Sequence, residues 1–389
     1  MNYEKFDFDK IVERHATHAV KWDKCPSDDV IPMWVADMDF KAAPCIINAL
    51  KKRLDHEVFG YTQVPEEFYT SIINWFERRH NWTINRDWID YTTGVVPAFN
   101  AVIKAITNPG DNVVILTPVY NCFFSCIESN KCHAVEVPLT YNHDYSYTIN
   151  FDALDKALRD HHNHTLLFCN PHNPAGRVWR KEELIKVNDL CLKHGVTVIS
   201  DEIHCEMVMP GVHYTPFASI SQEAQDNCIT CGSPSKSFNI AGLQAAFIAT
   251  SNPSTKKLVN QALIDNQVNS LNPFGLEAFM AAYNHGESWI EQLNEYIAGN
   301  FQVMCDMMTK DLPAFHITPM EGTYLAWVDV TATGMSSAEV TKKILDDGKV
   351  MVNDGAMYGK AGEGFIRINL ATTRAIVEEG ISRIINAMK

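Results

Sequence analysis

The strongest constraint on this chain's fold lies between residues 112 and 250, where short apolar runs alternate with helical segments. Runs at 112–116, 134–137, 165–169, 196–200, 228–231 and 245–250 are rich in β-branched and apolar residues, with little polar alternation. Between them, 151–159 and 181–194 return apolar residues at three- and four-residue steps, the helical period. A strand without polar alternation is buried on both faces, and strands separated by helices pair in parallel. The region therefore predicts a parallel sheet covered by helices on either side. Ligands of such sheets collect beyond the carboxyl ends of the strands. Asn173, Asp201 and Lys236 each stand just after a predicted strand, so one crevice can collect all three.

Lys236 lies in Gly232-Ser233-Pro234-Ser235-Lys236-Ser237-Phe238-Asn239. A lysine amine attacks a carbonyl to form an imine, and it is reactive at neutral pH when desolvation or a neighbouring cation lowers its pKa. The hydroxyls of Ser233, Ser235 and Ser237 are suited to an anion beside it, so a phosphorylated aldehyde matches the stretch, pyridoxal 5′-phosphate (PLP) being the common one. A lone lysine in a serine-rich turn is ordinarily a solvated one, so the reading depends on its partners. Ser233-Pro234-Ser235-Lys236 also spells S-x-x-K, but serine acyl enzymes carry S-D-N and K-T-G besides, and neither tripeptide occurs. Upstream, Gly94, Val95 and Val96 precede a helix predicted from Pro97; its free N–H groups and positive dipole end suit a phosphate.

The first 40 residues show little periodicity but contain Ile31-Pro32-Met33-Trp34-Val35-Ala36-Asp37-Met38-Asp39-Phe40, read as an arm at an active-site edge. Helical patterns start at Pro44 and run over 66–80, with Gly60-Tyr61 in the loop between. After 250 the strand signal stops and helices dominate from 253 to 310; strands near 324–330 and 365–370 with helices 336–347 and 374–388 then form an α+β unit. The expected division is an arm at 1–44, a large domain at 45–275 and a small C-terminal domain at 276–389.

A net charge of −14 repels a phosphate backbone, so nucleic acid is not an expected partner. Residues 1–10 lack an apolar signal region and no run approaches 18 uncharged apolar residues, so the expected location is cytoplasmic, without a membrane partner. The 11 cysteines then read as reduced thiols. Cys228 and Cys231 form the one C-x-x-C, but inside a strand-like run, and His161, His162 and His164 sit in a polar turn; neither group is expected to hold a metal.

Four motifs in order carry a resemblance over nearly the whole chain: Asn170-Pro171-His172-Asn173-Pro174-Ala175-Gly176, Ser200-Asp201-Glu202-Ile203-His204, the Lys236 stretch, and Phe365-Ile366-Arg367-Ile368-Asn369. Together they resemble the fold-type-I PLP enzymes of aminotransferase class I and II. Within them the chain is most similar to bacterial carbon–sulfur β-lyases of the cystathionine β-lyase type, which share the 34–40 run, Asp-Glu-Ile-His and Ser-Lys-Ser-Phe-Asn. The resemblance implies Lys236 as the lysine joined to the cofactor and Asp201 as partner of its pyridine nitrogen. It further implies Asn173 at the ring's 3-hydroxyl oxygen, Tyr120 against the ring face and His204 near the cofactor. Arg367 becomes the clamp for the substrate α-carboxylate, with Ala36 and Asn173 beside it. Phosphate contacts fall to the backbone of Val95 and Val96, to Ser233 and Ser235, and to Tyr61 of a neighbouring subunit, which also counts as catalytic; a homodimer with a shared active site follows. Two positions depart from the aminotransferase pattern: Gln244 stands where many have a phosphate-binding arginine, and His204 where tyrosine is usual. Both favour cleavage of a sulfur amino acid over amino-group transfer, the alternative activity. A non-enzymatic PLP-domain regulator is a second alternative, disfavoured because only about forty acidic-leaning residues precede the domain, with no basic DNA-binding segment.

Overall fold

The computed structural model describes residues 5–389. Seven strands form the larger sheet: β1 (Ile89–Thr92), β2 (Asn112–Thr117), β3 (His133–Pro138), β4 (Asn163–Cys169), β5 (Thr197–Asp201), β6 (Cys228–Gly232) and β7 (Ala246–Ala249). Their order is β1-β7-β6-β5-β4-β2-β3. Strands β2 to β6 pair in parallel, while β7 runs antiparallel to both β6 and β1. Strand β1 therefore points the same way as the parallel set, and every strand but β7 ends on one edge.

The lack of polar alternation has its predicted cause. Leu166 and Val198 join an apolar cluster on one face with Leu184 and Val187 of helix Lys181–His194. Their neighbours Leu167 and Ile199 join a cluster on the other face with Phe99 and Val102 of helix Val95–Ile106. Burying each such side chain contributes about 1.5–3 kcal/mol. Helix Lys181–His194 ends where Gly195 turns left-handed at φ +67°, a conformation that a Cβ disfavours. Helix Val95–Ile106 begins two residues earlier than its proline implied: Gly94 caps it in extended geometry, and Pro97 falls within the first turn, where its missing N–H leaves no intrahelical bond unmade.

The second sheet comprises β8 (His316–Ile317), β9 (Leu325–Asp329), β10 (Asn353–Asp354) and β11 (Phe365–Asn369), antiparallel in the order β8-β9-β11-β10. Helices Ser337–Gly348 and Arg374–Met388 pack together beside it, and the 25-residue helix Glu287–Asp311 packs against the latter. Ile31–Pro32 of the arm pairs in parallel with Val350–Met351, after which residues 33–40 cross to the carboxyl edge of the large sheet. The first four residues of the arm lie outside the described residues. Among the described residues no helix is long and apolar enough to cross a membrane.

Candidate active site

A cavity of about 300 Å³ opens at the carboxyl edge of the large sheet. Five of the six strands that end there deliver part of its lining, β3 being the exception among the described residues. Beyond β1, Val95 and Val96 open a helix whose first N–H groups have no intrahelical acceptor. Beyond β2 comes Tyr120, beyond β4 Asn173, and Asp201 is the last residue of β5. The turn after β6 supplies Ser235 and Lys236, and the arm supplies Ala36.

Three buried carboxylates occur within six residues, and their partners sort them. Glu202 accepts from Ser200 Oγ (2.8 Å), the Phe217 amide (2.9 Å) and the Tyr214 hydroxyl. Glu206 accepts from Trp75 Nε1 (2.7 Å) and Arg79 Nε (2.8 Å) and lies 2.5 Å from His80 Nε2; against its own burial, the charges of His80 and Arg79 hold it down at about 2. Asp201, 2 % exposed, has one N–H donor among the described residues, Ile203 at 3.2 Å, with the Cys169 sulfur 4.0 Å away. Burial pushes Asp201 up to about 7; Glu202 adds to this, while the Ile203 bond and Lys236 oppose it. Of the three, Asp201 alone lines the cavity; burial also pushes Glu202 up, but Glu202 has three donors where Asp201 has a single N–H.

The Lys236 amine donates to the Ala36 carbonyl at 2.7 Å. The residue is half-buried at the cavity wall, but burial desolvates the amine and lowers its pKa to about 8, with Arg367 adding repulsion and Asp37, Cys122 and Asp201 opposing. His204 lines the same cavity; burial, then the charges of Lys236 and Arg367, lower it to about 3, so the imidazole is neutral. Its Nδ1 is buried without a hydrogen-bond partner among the described residues.

Arg367 arrives from the middle of β11. Its Nη1 donates to Asn173 Oδ1 (3.1 Å), its Nη2 to the Trp34 carbonyl (2.9 Å), and its Nε is buried with no partner among the described residues. The guanidinium lies over the Tyr358 ring, 4.9 Å from its centre. The second sheet thus places its arginine against the asparagine of the first.

Three expected residues are absent from the lining, one of them Arg367, which meets it through its bond to Asn173. Ser233 does not line the cavity: its hydroxyl donates to the Ala245 carbonyl (2.7 Å) and accepts from the Ser235 amide (3.0 Å), which shapes the turn before Lys236. Tyr61 projects fully into solvent in the single chain, away from the cavity. Gln244 does line it, and among the described residues Lys236 is the one lysine or arginine that does. Sequence reasoning missed Tyr324, whose hydroxyl donates to the same Ala36 carbonyl at 2.9 Å and whose ring meets His204 edge-on at 6.0 Å. Its one signal was membership of an apolar strand pattern. Cys228 and Cys231 are free and buried in β6, and His161 and His162 are exposed.

The model of the family "Aminotransferase class I and II" matches residues 28–384. Cystathionine beta-lyase PatB of Bacillus subtilis (strain 168) is 41% identical over 382 residues, 97% of this chain and 98% of that protein. The crystal structure of cystalysin from Treponema denticola, which contains a pyridoxal 5′-phosphate cofactor, superposes with a TM-score of 0.96 at 36% identity, covering 99% of each chain. The PLP-bound C-S lyase from Staphylococcus hominis gives a TM-score of 0.93 at 33% identity, over 99% of this chain and 98% of that one. With a family model spanning most of its residues and full-length relatives on both comparisons, the chain belongs to the aminotransferase class I and II family.

Proposed function

We propose that this protein is a PLP-dependent carbon–sulfur β-lyase of the cystathionine β-lyase type, cleaving sulfur-bearing L-amino acids to pyruvate, ammonia and a thiol. The observation that carries the reading is the pairing, in one cavity, of an uncompensated buried carboxylate with a lysine of lowered pKa, in a chain 41% identical to a cystathionine beta-lyase over its length.

The residues fit PLP. Asp201 is a buried acceptor without an ion-pair partner among the described residues; a protonated pyridine nitrogen supplies one. The helix opened by Val95 and Val96 presents unpaired N–H groups for a phosphate, with Ser235 beside them, and Tyr120 and Asn173 line the wall between. Since Lys236 is the only lysine or arginine of that wall among the described residues, backbone dipoles carry most of the phosphate recognition within one chain. Bound there, PLP supplies an electron sink for the pair left when a Cα–H bond breaks.

The chain's own residues do the rest. Arg367 binds the α-carboxylate through its planar fork, and Asn173, bonded to that fork, fixes its rotation. The Lys236 amine takes the proton from Cα; at about 8, its pKa lets it accept and return protons near neutrality. The thiolate then leaves Cβ. A thiol's pKa is about 8.5, so its anion departs without a strong acid, whereas the hydroxyl of serine needs one. The division we adopt gives cofactor binding to 45–275 and the substrate clamp to 276–389, with the arm 1–44 spanning both.

The deciding experiment feeds L-cystathionine or S-methyl-L-cysteine without a keto acid. Pyruvate, ammonia and thiol should appear in equal amounts, and L-serine should react far more slowly. Brisk keto-acid-dependent amino transfer without detectable pyruvate would instead establish an aminotransferase.

A homodimer belongs to the same proposal. Tyr61 stands fully exposed close in sequence to the exposed apolar side chains of Leu54, Val58 and Phe59, which a second copy would cover. A Tyr61-defective chain mixed with a Lys236-defective chain should regain activity after subunit exchange, because one hybrid site then has both residues intact. Verified hybrids without activity would place the two residues in one chain's site.

A further inference from the structure

The arm segment 34–38 makes an unusual set of bonds: each of its five carbonyls accepts from a side chain, and most donors belong to the site or its immediate neighbours. Trp34 O takes Arg367 Nη2 at 2.9 Å; Val35 O and Asp37 O both take Asn369 Nδ2, at 2.5 and 2.7 Å. Ala36 O takes the Lys236 amine at 2.7 Å, and Met38 O takes Asn239 Nδ2 at 2.9 Å. Asn239 also accepts from the Met38 amide (3.0 Å) and donates to Phe40 O (3.0 Å). Thus the residue three beyond Lys236 and the residue two beyond Arg367 hold one backbone strap, Asn239 at Met38 and Phe40 and Asn369 at Val35 and Asp37. Below it, Arg14 and Lys21 pair with Asp37 and Asp39; Lys21 and Asp39 are buried, and the Lys21–Asp39 bridge is 2.8 Å long.

We propose that Asn239 and Asn369 are positioning residues that hold this strap as one unit and thereby fix the spacing between Lys236 and Arg367. The proposal rests on the roles given above to those two residues. Asn369 sets the strap against Arg367, so its loss should weaken carboxylate binding. Asn239 sets the strap against the Lys236 turn, where it sits at φ +55°, so its loss should slow proton transfer. An asparagine that merely stabilised the fold would lower melting temperature and active fraction without dividing its effect between binding and turnover.

The test uses the PLP-loaded enzyme and the variants Asn369→Ala and Asn239→Ala. Hydrogen exchange of the Met38 amide, which bonds Asn239, is expected to accelerate on the order of 10-fold in Asn369→Ala although its own acceptor is untouched, the loss of about one buried hydrogen bond. Asn369→Ala should raise KM, and the dissociation constant of L-alanine in a spectral titration, about 10-fold with kcat nearly kept. Asn239→Ala should lower kcat about 10-fold with KM nearly kept. Unchanged Met38 exchange in Asn369→Ala, or equal effects of both variants on kcat alone, overturns the proposal. A wild-type enzyme without lyase turnover would sink the lyase reading while exchange and alanine binding still judge the strap.

Discussion

Replacing Lys236 with alanine is expected to end covalent attachment of the cofactor and to lower turnover on the order of 10²-fold or more. Two functions are lost together, the amine that joins the cofactor and the base that serves Cα. Borohydride treatment followed by proteolysis should leave a cofactor-bearing peptide containing residue 236 in the wild type and none in the variant. Collapse of the fold is not the expected cause of the loss. Burial lowers the Lys236 pKa to about 8 from an ordinary 10.5, so the folded state binds fewer protons than the unfolded state between those values. Stability then rises with pH through that window, and below about 8 the folded protein bears the whole cost, roughly 3 kcal/mol. Lys236→Met, which keeps most of the stem's volume, should therefore melt no lower than wild type at pH 7 in the cofactor-free state while being inactive. Wild-type turnover in either variant without an added amine would remove Lys236 from the mechanism.

Much of this arrangement was legible beforehand, for identifiable reasons. Strands β4 and β5 are covered on both faces, which forbids polar alternation and makes them visible as apolar runs. Their direction then placed Asn173, Asp201 and Lys236 at one edge without any contact being known. Arg367 required the family likeness, since an arginine inside a predicted strand has nothing local to distinguish it. Other features had no local signal at all. The pairing of Ile31–Pro32 with Val350–Met351 is two residues long, too short for periodicity. Ser233 and Ser235 are alike in sequence, and only the position of the Ala245 carbonyl decides which hydroxyl is spent on the turn. Asp201 and Glu202 are adjacent carboxylates; three donors converge on Glu202 from Ser200, Tyr214 and Phe217, and on Asp201 one N–H and a distant thiol. The difference between a structural and a functional acid is here a matter of long-range partners. The grip of Asn239 and Asn369 on residues 34–38 joins segments 201 and 334 positions apart, beyond any pattern in a single sequence.

Replacing Asp201 with asparagine should move activity and stability in opposite directions. Asparagine has nearly the same shape but cannot offset a positive charge on a ring nitrogen, so turnover is expected to fall on the order of 10²–10³-fold, the range seen when one preorganised electrostatic group is removed. In the cofactor-free protein the same carboxylate is a liability. Its folded pKa, about 7, lies above the unfolded 3.8, so folding takes up a proton between those values. The contribution of this group is favourable below about 4 and lost progressively as pH rises through 7, at a cost of roughly 4 kcal/mol at alkaline pH. Cofactor-free Asp201→Asn should consequently lack that part of the decline and unfold at higher denaturant concentration than wild type at pH 8, with the gap closing toward pH 4. Adding PLP should reverse the order, because only the wild-type carboxylate gains a cationic partner. Parallel denaturation curves at pH 4 and pH 8, with and without PLP, measure all of this. A cofactor-free variant no more stable than wild type at pH 8 would mean that Asp201 already has its charge compensated, and the case for a pyridine nitrogen at that carboxylate would fail.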